Sequence, residues 1–309
     1  MRRLNIVFMG SPDFAVPSLE KLAASIHTIC AVVTGTDKKR GRGSTLSPTP
    51  VKATAQQLGI PVIECDNMRG QQLSAKLHEL NPDLFAVVAF KILPESLLQI
   101  PKIGSVNLHA SLLPKYRGAA PIHHAVLNGE TETGCTVFKL DKGMDTGGII
   151  KQNSMPIGKN ETTGSVYSRL MESGSDLITE AIDMLADGFS DFIKQDDSKA
   201  TKAPKLFDDD CVVNFNRSAE VVHNHIRGLS PFPAAYATLD GNKMKLLASA
   251  IDIITNENRP VGELFENEGN VFVMCSDRAL CLTKVQYQGK KAMQAAEFMR
   301  GYQGPTVFD

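Results

Sequence analysis

Apolar and polar positions along the first 190 residues form blocks that predict strands and helices in turn. Short apolar, β-branched runs predict buried strands, and stretches with apolar residues every three or four positions predict amphipathic helices. The predicted strands cover residues 4–9, 28–34, 61–63, 84–90, 103–110, 133–140 and 149–155. The predicted helices begin near residue 14 and cover residues 51–58, 68–80 and 162–185. This alternation favours an α/β fold with a doubly wound, mostly parallel, Rossmann-like sheet and helices on both faces.

The pattern changes in the last third of the chain. Residues 190–207 are polar and lack apolar periodicity, which predicts a linker. Beyond it, short strand-like runs occupy residues 235–239, 243–250, 269–275 and 279–285, with helices at 219–227 and 292–300. This spacing is typical of a small, OB-like β-barrel. We therefore predict an α/β domain over residues 1–189, a linker over 190–207 and a C-terminal β-barrel over 208–309.

Residues 35–50 interrupt the α/β pattern with the polar segment GTDKKRGRGSTLSPTP. It is rich in Gly and Pro and holds four basic side chains, Lys38, Lys39, Arg40 and Arg42. This composition predicts a loop without regular structure. Two interpretations stay open: a solvated surface loop, or a flexible basic segment that contacts phosphate groups.

Composition narrows the class of protein. A formal net charge of −1 and a hydrophobic content of 42% are ordinary for a soluble enzyme and indicate no overall attraction to nucleic acid or membrane. The six cysteines are scattered, and neither they nor the histidines have metal-ligand spacing, so we expect buried thiols and no metal. The opening apolar run is too short for a signal peptide, and no run is long enough to span a membrane. We expect a cytoplasmic monomer without membrane association.

Candidate chemistry lies where predicted strands end. Asn107 and His109 are two positions apart in one strand and so share a face, and Asp145 follows the strand at residues 133–140. Imidazole beside carboxylate suits proton transfer, and an amide can donate to a developing oxyanion. Read alone, His109 is more often a hydrogen-bonded structural histidine, and Asp145 a turn residue. The sequence contains no Ser-His-Asp or Cys-His pattern and no dinucleotide fingerprint after its first strand.

The segment NLHASLLPKYRGAAPI and the later loop DKGMDTG resemble the folate-dependent formyltransferases. The resemblance continues through GSPDFAVPSL, SPTPVK, VVAFKILP, KAPKL and IRGLSPFPAAY, and so covers nearly the whole chain. It implies that Asn107, His109 and Asp145 are the catalytic residues and that residues 1–189 form the catalytic domain. It also implies a folate site formed by Phe90, Lys91, Ile92, Leu93, Ser111, Leu112, Leu113, Pro114 and Asp141.

The GRG loop and the RGAAP ending resemble those family members that formylate the methionine of initiator methionyl-tRNA, with 10-formyltetrahydrofolate as co-substrate. By that resemblance, Lys38, Lys39, Arg40 and Arg42 contact the tRNA, and the β-barrel at residues 208–309 binds it. The alternatives are a formyltransferase for an amino-sugar nucleotide or another amine, and an RNA-binding module without activity. Two features depart from the family pattern. Lys91 places a charge in the folate loop where glycine is usual, and residues 190–309 hold fewer basic than acidic side chains.

Overall fold

A computed structural model describes residues 2–40 and 45–309 of the chain. The chain divides into two compact units. The N-terminal unit comprises Met1–Gly118, Gly134–Ser154 and Tyr167–Lys202, and the C-terminal unit comprises Ala119–Thr133, Met155–Val166 and Ala203–Asp309. Each unit is therefore assembled from three separate stretches of sequence.

Strands and helices alternate along the described residues. The strands are β1 (Asn5–Gly10), β2 (Thr28–Thr34), β3 (Lys38–Arg40), β4 (Thr45–Ser47), β5 (Val62–Glu64), β6 (Leu84–Val88), β7 (Gly104–His109), β8 (Arg117–Gly118), β9 (Glu132–Lys139), β10 (Ile149–Pro156), β11 (Lys202–Ala203), β12 (Ala235–Leu239), β13 (Asn242–Ala250), β14 (Leu264–Asn267), β15 (Asn270–Met274), β16 (Ala279–Tyr287) and β17 (Met293–Gln294). The α-helices are α1 (Val16–Ala24), α2 (Pro50–Gln57), α3 (Gln71–Glu79), α4 (Glu95–Leu98), α5 (Pro121–Leu127), α6 (Thr163–Ala186), α7 (Ala219–Leu229) and α8 (Ala295–Gly301). Short 3-10 turns occupy Asp13–Ala15, Asp197–Lys199 and Asp209–Cys211.

The described part of the N-terminal unit contains a seven-stranded sheet in the order β10-β9-β7-β6-β1-β2-β5. β1 is parallel to β2 and β6, β6 is parallel to β7, and β9 runs antiparallel to β7. The predicted doubly wound, mostly parallel fold is confirmed. The central strands are apolar along their length because helices cover both faces, and Phe8 and Phe85 are fully buried. Strand order reverses between β1 and β6, where an open α/β sheet forms a crevice at its carboxyl edge.

The C-terminal unit contains an antiparallel sheet in the order β12-β13-β16-β15-β14, with β17 paired to β16. Its core combines the inner face of that sheet with apolar residues of α7, such as Val222 and Ile226. Near the end of the chain, Phe308 bridges to Leu239 of β12, and Val307 bridges to Glu263 beside β14. These bridges connect the two edge strands and close the sheet, which confirms the predicted small β-barrel.

Residues 35–50 differ from the sequence-based expectation of an unstructured loop. β3 and β4 pair antiparallel, with Lys38 opposite Ser47 and Arg40 opposite Thr45. The expectation was wrong for these residues because backbone pairing satisfies N–H and C=O groups without an apolar face that composition would reveal. The segment then enters α2 through Thr49, whose side chain accepts a hydrogen bond from the Lys52 backbone. In the described ranges, no helix has the length and apolar character required to cross a membrane.

Candidate active site

His109 is the last residue of β7, and its side chain is buried. Its Nε2 lies 2.8 Å from the Tyr116 carbonyl oxygen. Because a carbonyl can only accept, Nε2 donates in this bond, which makes Nδ1 the ring nitrogen that can accept a proton in the neutral tautomer. Nδ1 lies 3.9 Å from Asp145 Oδ2. The nitrogen that can take up a proton is thus beside a carboxylate but not hydrogen-bonded to it.

Asn107 precedes His109 by two positions on β7, so both side chains project from one face of the strand. Its backbone lies between Val87 of β6 and Phe138 of β9. The Asn107 residue is half-buried. A proton-accepting nitrogen and an amide donor therefore share one strand end, as the alternation of the sequence predicted.

Both groups that flank His109 have unusual backbones. Tyr116 has φ 61° and Asp145 has φ 57°, values in the left-handed region that cost about 1–3 kcal/mol at non-glycine residues. The Asp145 carboxylate is held by the Gly118 backbone, whose N–H donates to Oδ2 at 2.9 Å. A side chain at Gly147 would stand 1.7 Å from the Lys139 carbonyl oxygen, so the loop that carries Asp145 requires glycine there. The surrounding structure maintains these two conformations against their intrinsic cost.

Gln195 is a buried residue of this site that sequence reasoning missed. Its amide donates to the Asp145 and Gly147 carbonyl oxygens at 2.9 and 2.8 Å. A glutamine in a polar stretch without periodicity gives no sequence signal of burial. The polar segment 190–207 therefore contributes directly to the surroundings of Asp145.

The candidate folate loop follows β6. Ile92 is 77% exposed, whereas Leu93 packs in the apolar core. Lys91 is tied to Asp66, because its ammonium lies 2.6 Å from Oδ1 and 2.9 Å from the backbone oxygen. Hydrogen bonds from Lys91 and Thr36 lower the pKa of Asp66 to about 2. The charge that the sequence places in this loop is neutralised by a neighbouring carboxylate.

The remaining residues that are predicted to bind folate lie in two turns. The Ser111 hydroxyl is fully buried and donates to the Lys115 carbonyl at 2.7 Å. Leu113 is also buried, and Leu112 and Pro114 are half-buried. Asp141 accepts hydrogen bonds from the Gly143 backbone and the Thr146 hydroxyl. In this structure the Ser111 and Asp141 side chains stabilise the turns that carry them.

A cavity of about 200 Å³ opens at the carboxyl ends of β1, β2 and β6. Its lining comprises Ser11, Gly35, Thr36, Lys38, Thr49, Asp66, Ala89, Phe90 and Lys91. Two folate candidates, Phe90 and Lys91, and one tRNA candidate, Lys38, therefore line the same space. The end of β7 with Asn107 and His109 does not line this cavity.

The structure describes the four basic residues that are predicted to contact tRNA to different extents. Lys38 is exposed and lines the cavity. The backbones of Lys39 and Arg40 belong to β3, while their side chains and Arg42 lie outside the described residues. Before β3, Asp37 pairs with Lys52 at 2.7 Å, and Lys52 also bonds Glu64 at 2.8 Å. This ion-pair network anchors the segment that leads into β3.

Across residues 2–40 and 45–309, no group of three His, Cys, Asp or Glu side chains has the arrangement of a metal site. His123 and His124 bond backbone carbonyls of Phe232 and Pro204. All six cysteines are free thiols, and burial raises the pKa of Cys135 to about 12. Four of the cysteines are buried, in agreement with the expectation from their apolar sequence neighbours.

Comparison with known proteins shows the family of this chain. Residues 3–182 match the family model described as formyl transferase, and residues 205–303 match that of the formyl transferase C-terminal domain. A methionyl-tRNA formyltransferase of Geobacter metallireducens is 41% identical over 302 residues, which cover 97% of this chain and 96% of the relative. The enzyme of the same name from Geobacter sulfurreducens is 42% identical over 305 residues, covering 98% and 95%.

A sugar 3N-formyl transferase, WlaRD, crystallised in the presence of dTDP and 5-N-formyl-THF, has a similar fold. Its TM-score is 0.69 at 22% identity, with 94% of this chain and 100% of the other covered. At that identity the similarity establishes the fold alone. The two family matches, and the relatives that align along nearly the whole chain, show more than the fold: the chain belongs to the formyl transferase family.

Proposed function

We propose that this protein transfers the formyl group of 10-formyltetrahydrofolate to the α-amino group of methionine on initiator tRNA, which yields formylmethionyl-tRNA for translation initiation. The observation that carries the proposal is the state of His109, whose protonated Nε2 is held by Tyr116 while Nδ1 faces Asp145. The two relatives named methionyl-tRNA formyltransferase, at 41% and 42% identity over nearly the full length, support this choice of acceptor.

In the proposed reaction, the formyl folate supplies the activated one-carbon group, and the methionine amine is the nucleophile. His109 Nδ1 takes the proton that the amine loses as it bonds to the formyl carbon, and returns a proton to the leaving nitrogen. Asp145, 3.9 Å away, stabilises the positive charge that the ring carries between these steps. Asn107 donates to the formyl oxygen as negative charge develops there, an effect typically of about 3–4 kcal/mol per donor.

Residues around the cavity suit a folate. Phe90 lines it and Ile92 is exposed beside it in sequence, so the loop offers apolar surface to a flat ring system. Because Lys91 is paired with Asp66, the loop presents no unpaired ammonium to that ring. We place folate binding at Phe90–Leu93, the turn of Ser111–Pro114 and Asp141, mainly through backbone groups.

We assign tRNA contacts to Lys38, Lys39, Arg40 and Arg42, and to the β-barrel of residues 208–309, with catalysis in residues 1–189 and a connecting role for 190–207. Lys38 is exposed on β3, a strand anchored through Asp37 and Lys52. Lysine contacts to phosphate release counterions, so removing one reduces the slope of log affinity against log salt by about 1. Unchanged salt dependence in Lys38→Ala would contradict its phosphate contact.

The decisive experiment offers the purified protein 10-formyltetrahydrofolate with either methionyl initiator tRNA or an amino-sugar nucleotide, and measures the formylated product. We expect product with the tRNA and none above background with the sugar. The opposite preference would overturn the proposed acceptor and retain formyl transfer. Absence of product with both would overturn the proposal.

A further inference from the structure

We infer that Gln195 is a positioning residue for formyl transfer, which holds the two chain segments that flank His109 in register. The inference rests on the proposed function, because it assigns a task to Gln195 through Asp145 and the Tyr116–Arg117 segment. Gln195 itself contacts neither His109 nor Asn107 among its hydrogen-bond partners in the described residues.

The Gln195 side chain uses its full set of polar groups within the site. Its two N–H groups donate to Asp145 O at 2.9 Å and to Gly147 O at 2.8 Å. Its Oε1 accepts from Arg117 Nη2 at 2.7 Å and from Arg117 Nε at 3.2 Å. The residue is only 5% exposed, so water does not compete for these bonds. A single buried amide thus joins the backbone of one loop to the side chain of another.

These two segments carry the groups that define the state of His109. Tyr116, next to Arg117 in sequence, supplies the carbonyl that holds Nε2, and Asp145 supplies the carboxylate opposite Nδ1. Thr201 also holds the Tyr116–Arg117 segment in place. Its hydroxyl and its carbonyl accept hydrogen bonds from the Tyr116 and Arg117 backbones at 2.8 and 2.9 Å. Residues 195–201 therefore fix both sides of the imidazole.

The backbone conformations of Asp145 and Tyr116 explain why these hydrogen bonds are needed. Asp145 and Tyr116 both hold left-handed φ values that neither residue favours by itself. If the bonds from Gln195 are lost, the Asp145 loop can relax toward an ordinary conformation, and the carboxylate moves away from Nδ1. A displacement of about 1 Å at a reacting group can reduce a rate by about 100-fold.

Gln195→Glu tests the inference with little change of shape. The carboxylate still accepts from Arg117, but it cannot donate and it faces two carbonyl oxygens. We expect kcat to fall by about 10- to 100-fold, with KM for both substrates unchanged within about twofold, because Gln195 contacts neither substrate. Gln195→Met removes all four hydrogen bonds and keeps the residue neutral, so it should show the same fall in kcat with little change in KM. It replaces Gln195→Glu as the test if that variant does not fold.

Asp197→Asn is the matched control. Asp197 pairs with the same Arg117 at 2.7 Å, but its side chain is 76% exposed. Exposed ion pairs contribute about 0–1 kcal/mol, so this variant should keep kcat within about twofold of the original protein. An equal loss of kcat in Asp197→Asn would assign the effect to Arg117 alone and overturn the role of Gln195.

A double-substitution cycle separates positioning from general stabilisation. If Gln195 acts through Asp145 and the Tyr116–Arg117 segment, Gln195→Met should reduce kcat less in an Asp145→Ala background than in the original protein, with both rates measured per folded molecule. Additive losses, or a kcat unchanged in both Gln195 variants, would overturn the inference. The proposed function fails separately: it is contradicted if the unsubstituted protein forms no formylated product from 10-formyltetrahydrofolate and methionyl initiator tRNA.

Discussion

Two buried histidines, one in each unit, show what distinguishes a chemically available ring from a structural one. His223 on α7 is 2% exposed, with Nδ1 at 2.8 Å from the Ser249 hydroxyl and Nε2 at 2.8 Å from the Lys159 carbonyl. His109 is 6% exposed and has one such bond, while its second nitrogen lies 3.9 Å from Asp145. The two rings are buried to a similar degree, and they differ in the second ring nitrogen: in His223 it is hydrogen-bonded, and in His109 it lies 3.9 Å from a carboxylate.

The backbones around the two rings differ in the same sense. His223 lies within an ordinary helix, and burial lowers its pKa from the usual value. His109 ends a strand and is flanked by Tyr116 and Asp145, both in the left-handed region. Strained conformations persist where the surrounding structure determines them, and they concentrate at functional sites. We propose that His109 serves catalysis and that His223 serves stability, and the following predictions test that division.

The largest expected effect is on the rate after His109→Ala. Loss of a general acid-base group typically reduces kcat by about 10²- to 10⁴-fold. We expect that loss in steady-state formylation assays, with rates expressed per folded molecule because the Tyr116 carbonyl also loses its partner. A rate within about threefold of the original would contradict the proposal that His109 acts in catalysis.

Asn107→Ala should cause the next largest loss. Removal of one oxyanion donor typically costs about 10²- to 10³-fold in kcat. Because the half-buried amide is assigned to the reacting oxygen, KM should change much less than kcat. A raised KM with an unchanged kcat would instead assign Asn107 to substrate binding.

His223→Ala should act on stability. The substitution leaves the Ser249 hydroxyl and the Lys159 carbonyl without their partner, which costs about 1–3 kcal/mol of unfolding free energy. Denaturant titration measures that cost, and activity per folded molecule should be unchanged. A selective loss of kcat in fully folded His223→Ala would break the division between the two histidines.

The smallest expected effect is the contribution of His223 to the pH dependence of folding stability. Its pKa in the folded protein is lowered by burial, so at acidic pH the unfolded chain binds the proton more readily. The folded state should therefore be most stable above about pH 6.5 and lose stability as pH falls below that value. His123 and His225 act in the same direction because burial also lowers their pKa values.

Denaturant titrations at pH 8 and pH 5.5 measure this dependence. His223→Gln, which removes the titrating group, should show a smaller loss of stability between the two pH values. An equal loss in the variant would assign the dependence to the other two histidines.

Regular elements were predictable where local pattern and tertiary environment agree. The strands at residues 28–34 and 235–239 have the predicted bounds. In β12, burial follows side-chain type, since Ala235, Ala237 and Leu239 are buried and the two residues between them are half-buried. The alternation that put Asn107 and His109 on one face also holds in β7. In contrast, the polar pair β3–β4 and the strand β14 were missed, since their pairing depends on backbone groups and on neighbouring strands.

From the sequence alone, it was possible to predict the class of fold, the barrel that follows it, and Asn107, His109 and Asp145 as candidate site residues. These depend on periodicity and on motifs that are local in the chain. Three contacts followed only from the tertiary structure: the Tyr116 carbonyl accepts from His109, Asp145 lies 3.9 Å from the same ring, and Gln195 donates to the Asp145 backbone. Two of them use backbone carbonyls, which every residue has, and the contacts of Asp145 join residues distant in the chain, so no local pattern of side chains reveals them.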